Sequence, residues 1–141
     1  YRGREKFADL GGVENAKEFF RRVLNGKNAP RAIVWMDEIE KQFAGLGGQN
    51  TAGESSGTTQ DQLNCLLQEM QAKDARGFLL IGPPGAAKSA LAKAAGNEAG
   101  IPTIQLDLGG LKGSLVGESE AKMREALKVI DTVSQGRALF V

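Results

Sequence analysis

The residues with the clearest chemical potential lie in one glycine-bearing segment that ends in a lysine and a serine. The segment is Gly82-Pro83-Pro84-Gly85-Ala86-Ala87-Lys88-Ser89. It follows the apolar run 77–81 and precedes the helix-forming run 90–95. Backbone N–H groups of such a turn and of the helix N-terminus point into one concavity, where the helix dipole adds positive charge. The pattern therefore predicts a phosphate-binding loop, with Lys88 reaching the β- and γ-phosphates and Ser89 binding Mg²⁺.

One residue departs from the usual form of this loop, G-x-x-x-x-G-K-[S/T]. Ala87 stands where the second glycine is expected. If that position needs a positive φ or a very close approach of phosphate, its Cβ costs about 1–2 kcal/mol. The alternative interpretation is an ordinary Pro-Gly turn between a strand and a helix. The Lys-Ser pair favours a phosphate-binding loop in a weakened form.

Two acidic residues, Asp37 and Glu38, follow the apolar run 33–36. In an open parallel sheet, ligands bind beyond the carboxyl ends of the strands. Asp37 would hold Mg²⁺, usually through water, and Glu38 would orient and deprotonate an attacking water. Two acids after a strand are about as often a helix N-terminal cap when they occur alone. Beside a phosphate-binding loop, they indicate the metal-binding and catalytic element.

Length and composition narrow the class of protein. A chain of 141 residues suits one domain with a real core, and 41% hydrophobic and 25% charged residues are ordinary for a soluble globular protein. A net charge of +1 predicts no bulk attraction to nucleic acid or anionic membranes. One cysteine excludes an internal disulfide, and the lack of histidine removes His-based catalysis and the usual zinc sites. Without a run of transmembrane length or a signal-peptide pattern, we expect a cytoplasmic domain.

The hydrophobic pattern predicts strands that alternate with helices. Strands are expected near 32–37, 78–82, 103–107 and 138–141, and helices over 14–24, 58–72, 90–99 and 119–134. Alternation in 103–107 indicates an edge strand, and Ser119 is the expected N-cap of the last helix. On the helix over 58–72, the apolar stripe is predicted to comprise Leu63, Leu66, Leu67 and Met70, with Cys65 away from its centre. This order predicts a three-layer α/β/α fold around a short, mostly parallel sheet.

The two motifs together resemble those of the AAA+ ATPases, specifically the AAA group. In this resemblance, 82–89 corresponds to the Walker A loop and 33–38 to Walker B. Three further segments are similar to the motif beside the adenine (7–12), the helix after Walker B (61–70) and the central-pore loop (111–120). It implies a P-loop NTPase-like fold, with ATP or ADP and Mg²⁺ as ligands and ATP hydrolysis as the activity. Residues 82–89 would bind the nucleotide, with the backbone of Gly82, Gly85, Ala86 and Ala87 lining the phosphates. A homo-oligomer is one possibility, and a polypeptide substrate is expected only if a ring forms. Without a ring, a solvated Gly-rich loop is the better interpretation of 111–120.

The order of the motifs departs from the family, in which Walker A precedes Walker B. The segments 31–35 and 137–141 look alike, as though each began the same family strand. We therefore expect a single domain, 1–141, with a permuted and rearranged core that is engineered or, as the alternative, natural. Its blocks would be the opening segment and helix (1–30), the Walker B strand, loop and helix (31–76), and the P-loop strand onwards (77–141). The expected strand order is 78–82, 138–141, 32–37, 103–107; a competing arrangement places the two Walker strands side by side.

Counterparts of the family's sensor-1 strand, arginine-finger helix and C-terminal lid are not found in this sequence. An arginine finger is worth roughly 10³–10⁵ in rate. The leading expectation is Mg²⁺–ATP binding with weak or vestigial hydrolysis. The alternatives are an engineered or rearranged scaffold that has lost nucleotide binding, and an oligomer-forming fragment of a protein-remodelling ATPase.

Overall fold

The computed structural model describes residues 3–37, 39, 55–111 and 117–141. After a 3-10 turn at Phe7–Asp9, the helices are α1 (Glu14–Leu24), α2 (Ser55–Ala72), α3 (Lys88–Ala99) and α4 (Glu118–Ser134). The strands are β1 (Ala32–Trp35), β2 (Arg76–Gly77), β3 (Thr103–Gln105) and β4 (Ala138–Phe140). The alternation of strands and helices confirms the predicted α/β class.

The four strands form one parallel sheet in the order β2-β4-β1-β3. This is the predicted order, with the last strand between the strands that lead to the two motifs, and the side-by-side arrangement is wrong. β3 lies at an edge, as its alternating pattern indicated. The two look-alike segments pair in direct correspondence, with Ile33 opposite Leu139 and Arg31 N–H donating to the Arg137 carbonyl at 2.8 Å.

Period-two alternation along the central strands divides the core into two layers. Ile33 and Trp35 face α1 and α3, whereas Val34 faces α2 and α4. β4 repeats the alternation, since Leu139 joins the first layer and Phe140 the second. Burial of each such side chain contributes about 1.5–3 kcal/mol. The three-layer α/β/α architecture follows from this pattern.

The strands are shorter than predicted, and the strand expected at 78–82 is wrong in its bounds. β2 is Arg76–Gly77, and the ladder continues only to Phe78, whose N–H donates to the Phe140 carbonyl at 3.0 Å. The run that follows lies at the edge of the sheet, with Leu79 66% and Ile81 88% exposed. Because β4 pairs with it from one side only, the apolar run has no second ladder to extend it.

Two details of the helices also correct the sequence interpretation. Gly117, with φ +81°, is the N-cap of α4, and its carbonyl accepts from Ala121 N–H, so the predicted cap Ser119 lies inside the helix and is buried. On α2, Cys65 is 2% exposed, whereas Leu67 is 52% exposed. The inward face of α2 is set by its packing on β1 and α4, which the stripe alone did not reveal. Burial raises the pKa of the Cys65 thiol.

Side-chain hydrogen bonds connect the N-terminal segment before α1 to α1 and to α3. The buried Lys17 ammonium donates to the Leu10 carbonyl and, at 2.6 Å, to the Glu14 carboxylate, which lowers the pKa of Glu14. Asn97 of α3 donates its side-chain amide to the Glu5 carbonyl at 2.8 Å. α3 is therefore held from the N-terminal side of the chain as well as by the sheet. Over the residues described, no helix combines the length and apolarity needed to cross a membrane.

Because α3 lies close to β3 at Gly96, we expect any side chain at this position to destabilise the fold. A Cβ at this position would lie 1.9 Å from Thr103 Oγ1 and 3.1 Å from the Ile101 carbonyl oxygen. We expect Gly96→Ala to lower the free energy of unfolding by about 1–3 kcal/mol, despite alanine's better helix propensity. In a Thr103→Ala background the same change should be milder by at least about 1 kcal/mol, measured by urea denaturation. Equal destabilisation in both backgrounds would contradict this packing.

Candidate functional site

The phosphate-binding loop is a tight turn between the edge run and α3. Ala86 N–H donates to the Pro83 carbonyl at 3.1 Å, and Gly85 has φ +82°. α3 begins at Lys88, and its first turn is closed by Leu91 N–H donating to the Ala87 carbonyl at 2.8 Å. The N–H groups of residues 88–90, which precede this bond, have no i−4 partner within the helix, and such free N–H groups bind anions.

Ala87 holds the conformation that a glycine would adopt without strain. Its φ and ψ are 57° and 21°, in the left-handed region. From the sequence, a Cβ at this position is expected to cost about 1–2 kcal/mol if φ is positive. The structure shows a positive φ, so this cost is expected for Ala87. The loop keeps the left-handed backbone despite this strain.

Lys88 curls back over the turn that precedes it. Its Nζ donates to the Gly82 carbonyl at 2.7 Å and to the Pro83 carbonyl at 3.2 Å. A lysine ammonium has three donors and no acceptor, so these contacts fix the charge above the turn and leave donor capacity for another oxygen. Phosphate oxygens that enter the turn would meet this ammonium.

Ser89 and Asp37 meet although 52 residues separate them in the sequence. The Ser89 hydroxyl donates to Asp37 Oδ1 at 2.9 Å. Ser89 sits in the first turn of α3, and Asp37 lies two residues beyond the end of β1. Both groups offer oxygen, the ligand type that Mg²⁺ prefers, and both remain accessible to solvent. This donor set fits a magnesium ion shared with a bound nucleotide.

A cavity of about 540 Å³ opens beside these groups. Its volume lies within the range typical of small-molecule and cofactor sites, about 300–1,000 Å³. Besides the loop it is lined by Trp35, Met36, Asp37, Ile39, Leu79, Leu80, Ala90 and Val141. Trp35 is the chain's one tryptophan, and the Lys93 ammonium lies 4.5 Å from its ring centroid.

The structure brings together the predicted loop, residues 82–89, and Asp37 around this cavity. The predicted base, Glu38, lies outside the described residues, as do 40–54 and 112–116 of the predicted loops. Sequence reasoning missed Trp35 and Val141 as cavity-lining residues. Apolar runs at strand ends gave no signal for this role, because only the strand order shows which of them lie beside the loop.

Comparisons with known proteins bear on the same region. Residues 78–141 match the family described as "ATPase family associated with various cellular activities (AAA)". This match contains the loop with Lys88 and Ser89 and does not include Asp37. No solved structure matches the chain.

The relatives share short segments with this chain. The "Uncharacterized AAA domain-containing protein ycf46" of Guillardia theta is 42% identical over 59 residues, and that of Trieres chinensis is 48% identical over 59. In each case the alignment covers 42% of this chain and 12% of the relative, so the chain spans about an eighth of their length. An "ATP-dependent zinc metalloprotease FtsH" of Lancefieldella parvula is 34% identical over 98 residues, covering 64% of this chain and 15% of that protein.

The left-handed backbone at Ala87 predicts an unusual response to glycine. Ala87→Gly should raise the free energy of unfolding by up to about 1 kcal/mol, because relief of left-handed strain exceeds the added chain entropy. The matched control, Ala121→Gly on the exposed side of α4, should lower it by about 0.5–1 kcal/mol. Urea denaturation of both variants measures the two signs. A loss of stability in both would show that Ala87 is unstrained.

Proposed function

We propose that this chain is an ATPase domain of the AAA type, because residues 78–141 match that family, and that it binds Mg²⁺–ATP in the cavity beside Lys88. The observation that carries the proposal is the 2.9 Å contact between the Ser89 hydroxyl and Asp37. A serine after a loop lysine and a carboxylate after a strand are the two protein groups that hold the magnesium of a bound nucleotide in P-loop proteins. Ordinary turn formation does not require these two side chains to meet.

The phosphate contacts are proposed for residues 82–89. Gly82, Gly85, Ala86 and Ala87 line the cavity and would contact the phosphates through their backbone, and Pro83 and Pro84 belong to the same proposed nucleotide-binding loop. Lys88 would exchange its contacts with the Gly82 and Pro83 carbonyls for oxygens of the β- and γ-phosphates. That exchange replaces neutral acceptors with charged ones, and charge-assisted hydrogen bonds are roughly twice as strong.

Ser89 and Asp37 are the proposed magnesium ligands, with Asp37 acting directly or through water. When bound, Mg²⁺ supplies neutralisation of the phosphate charge. Glu38 is the proposed general base that orients the attacking water. We propose that hydrolysis is weak or vestigial in this chain by itself, because among the described residues no arginine lines the cavity to stabilise charge in the transition state.

A second candidate function is a scaffold that retains the P-loop fold and has lost nucleotide binding. Two observations favour it: Ala87 strains the loop, and two of the three Lys88 donors already bind loop carbonyls. The in-register pairing of 31–35 with 137–141 also supports a rearranged core, whether engineered or natural. A third candidate is a fragment of a protein-remodelling ATPase, in which homo-oligomer formation and polypeptide handling belong to the whole assembly.

Nucleotide binding should be saturable and should depend on Lys88. We expect calorimetric titration with ATP and Mg²⁺ to show binding by the parent, and Lys88→Ala to weaken it by about 10- to 100-fold through loss of charge-assisted contacts. Quenching or enhancement of Trp35 fluorescence would report the same event, because this side chain lines the cavity. Lys27→Ala, at an exposed lysine in the turn after α1, is the matched control and should bind as the parent does. A folded parent that binds no ATP up to several millimolar would leave the scaffold candidate.

The Ser89–Asp37 pair predicts how magnesium affects the titration. In the parent, ATP should bind more tightly with Mg²⁺ than with a chelator. In Ser89→Ala and Asp37→Asn, the ratio of the two affinities should fall towards one. Asp37→Asn should also improve binding without metal, because it removes a carboxylate that repels the phosphates. Unchanged magnesium dependence in both variants would remove these residues from the proposed metal site.

A further inference from the structure

A second concave surface lies at the opposite end of the sheet from Lys88, where β2 and β4 begin. Two cavities of about 410 and 260 Å³ share Val23, Asn28, Arg76 and Leu139 among their lining residues. Because these four residues line both, the cavities form one continuous groove, called here the basic groove. It runs from the C-terminal part of α1 to the turn before β4.

The basic groove carries an excess of positive charge. Its cationic lining residues are Arg22, Lys73, Arg76 and Arg137, against one acid, Asp74. Arg22 pairs with Glu18, and Lys73 with Asp131 at 2.9 Å. Among the described residues, neither Arg76 nor Arg137 lies within 4.0 Å of a carboxylate. The guanidinium groups of Arg76 and Arg137 are therefore available to bind an external anion.

Both arginines are attached to fixed backbone. Arg76 belongs to β2 and is paired with Leu139 of β4. Arg137 donates its N–H to the Ser134 carbonyl at 3.1 Å and accepts from Arg31 N–H at 2.8 Å. Rigid attachment lowers the entropy that a ligand must overcome to order its site.

The wall beside the arginines is apolar and open. Phe19 is 49% exposed and packs edge-to-face on Phe78, with ring centroids 5.2 Å apart. Val23 and Leu139 extend this wall into the second cavity. A ligand that fits must therefore place an apolar group near two separate anionic groups.

We propose that the basic groove binds a short acidic peptide segment. Its carboxylates would pair with Arg76 and Arg137, whose planar guanidinium groups match carboxylates bidentately, and one apolar side chain would pack on Phe19. Nucleic acid fits less well, because phosphate-backbone binding relies on many cations and the chain has a net charge of only +1. The groove is separate from the ATP cavity, so the two sites are testable independently.

The test is fluorescence polarisation with a fluorescein-labelled heptapeptide in which one Phe is flanked by Asp and Glu on both sides. We expect saturable binding by the 141-residue chain, and a loss of about tenfold or more in affinity for the Arg76→Gln/Arg137→Gln double variant. A control peptide with Asn and Gln in place of Asp and Glu should bind the parent about as weakly as the acidic peptide binds the double variant. Phe19→Ala should also weaken binding, whereas Arg4→Gln, an exposed arginine outside the groove, is the matched control and should not.

Several outcomes would overturn the proposal. They are no binding up to about 1 mM peptide, equal binding by the double variant with an unchanged melting curve, and equal binding of the amide peptide. Displacement of the peptide by an equal concentration of a single-stranded oligonucleotide would identify a general anion patch instead. Self-association of the parent that the double variant abolishes would identify a second copy as the occupant. Lys88→Ala should leave peptide binding intact, which separates failure here from failure of the ATP proposal.

Discussion

The candidate site depends on the backbone ladder that fixes β4 between the run leading to the loop and β1. On one side, Phe78 N–H donates to the Phe140 carbonyl; on the other, Val141 donates to the Val34 carbonyl and accepts from Met36 N–H at 2.9 Å. These bonds set the spacing between the start of the loop and the end of β1. Asp37 follows Met36 directly, so the ladder determines where its carboxylate lies relative to α3. The Ser89–Asp37 contact results from this spacing, because neither segment reaches the other locally.

The loop combines a strained backbone at Ala87 with the groups that are proposed to bind an anion. Ala87 takes a left-handed backbone that costs about 1–2 kcal/mol for a residue with a Cβ, and α3 starts immediately afterwards. The left-handed residue directly precedes the first turn of α3, and Lys88, Ser89 and Ala90 of that turn line the cavity. Strain at Ala87 would thus oppose stability at the position where ligand binding is proposed, a combination that is common at functional sites.

The two ends of the sheet differ in chemistry because parallel strands give each end a single kind of terminus. The carboxyl ends carry Asp37 and face the N-terminus of α3, where backbone N–H groups and Lys88 provide positive charge. The amino ends carry Arg76 and Arg137, with the ring of Phe19 beside them. A nucleotide and a peptide carboxylate are both anions, yet a helix N-terminus with a metal site suits the first and an apolar wall with separate guanidinium groups suits the second. The two proposed anion sites therefore lie at opposite ends of one sheet.

The sequence by itself determined the α/β class, the helix over 14–24 and the residues of the loop, since hydrophobic period and turn chemistry are local properties. It also identified Ala87 as the irregular position, although its φ of 57° required the structure. Strand ends, the inward turn of Cys65 and the buried place of Ser119 were decided by tertiary packing, because neighbours from distant segments set which face is inside. The strand order was expected from the sequence only through resemblance to a family. The sequence assigned Ser89 and Asp37 to one magnesium site, and the sheet brings these side chains into contact across 52 residues. Nothing in the sequence indicated that Arg76 and Arg137 line one groove, because hydrogen-bonded strand neighbours join segments that are far apart in the chain.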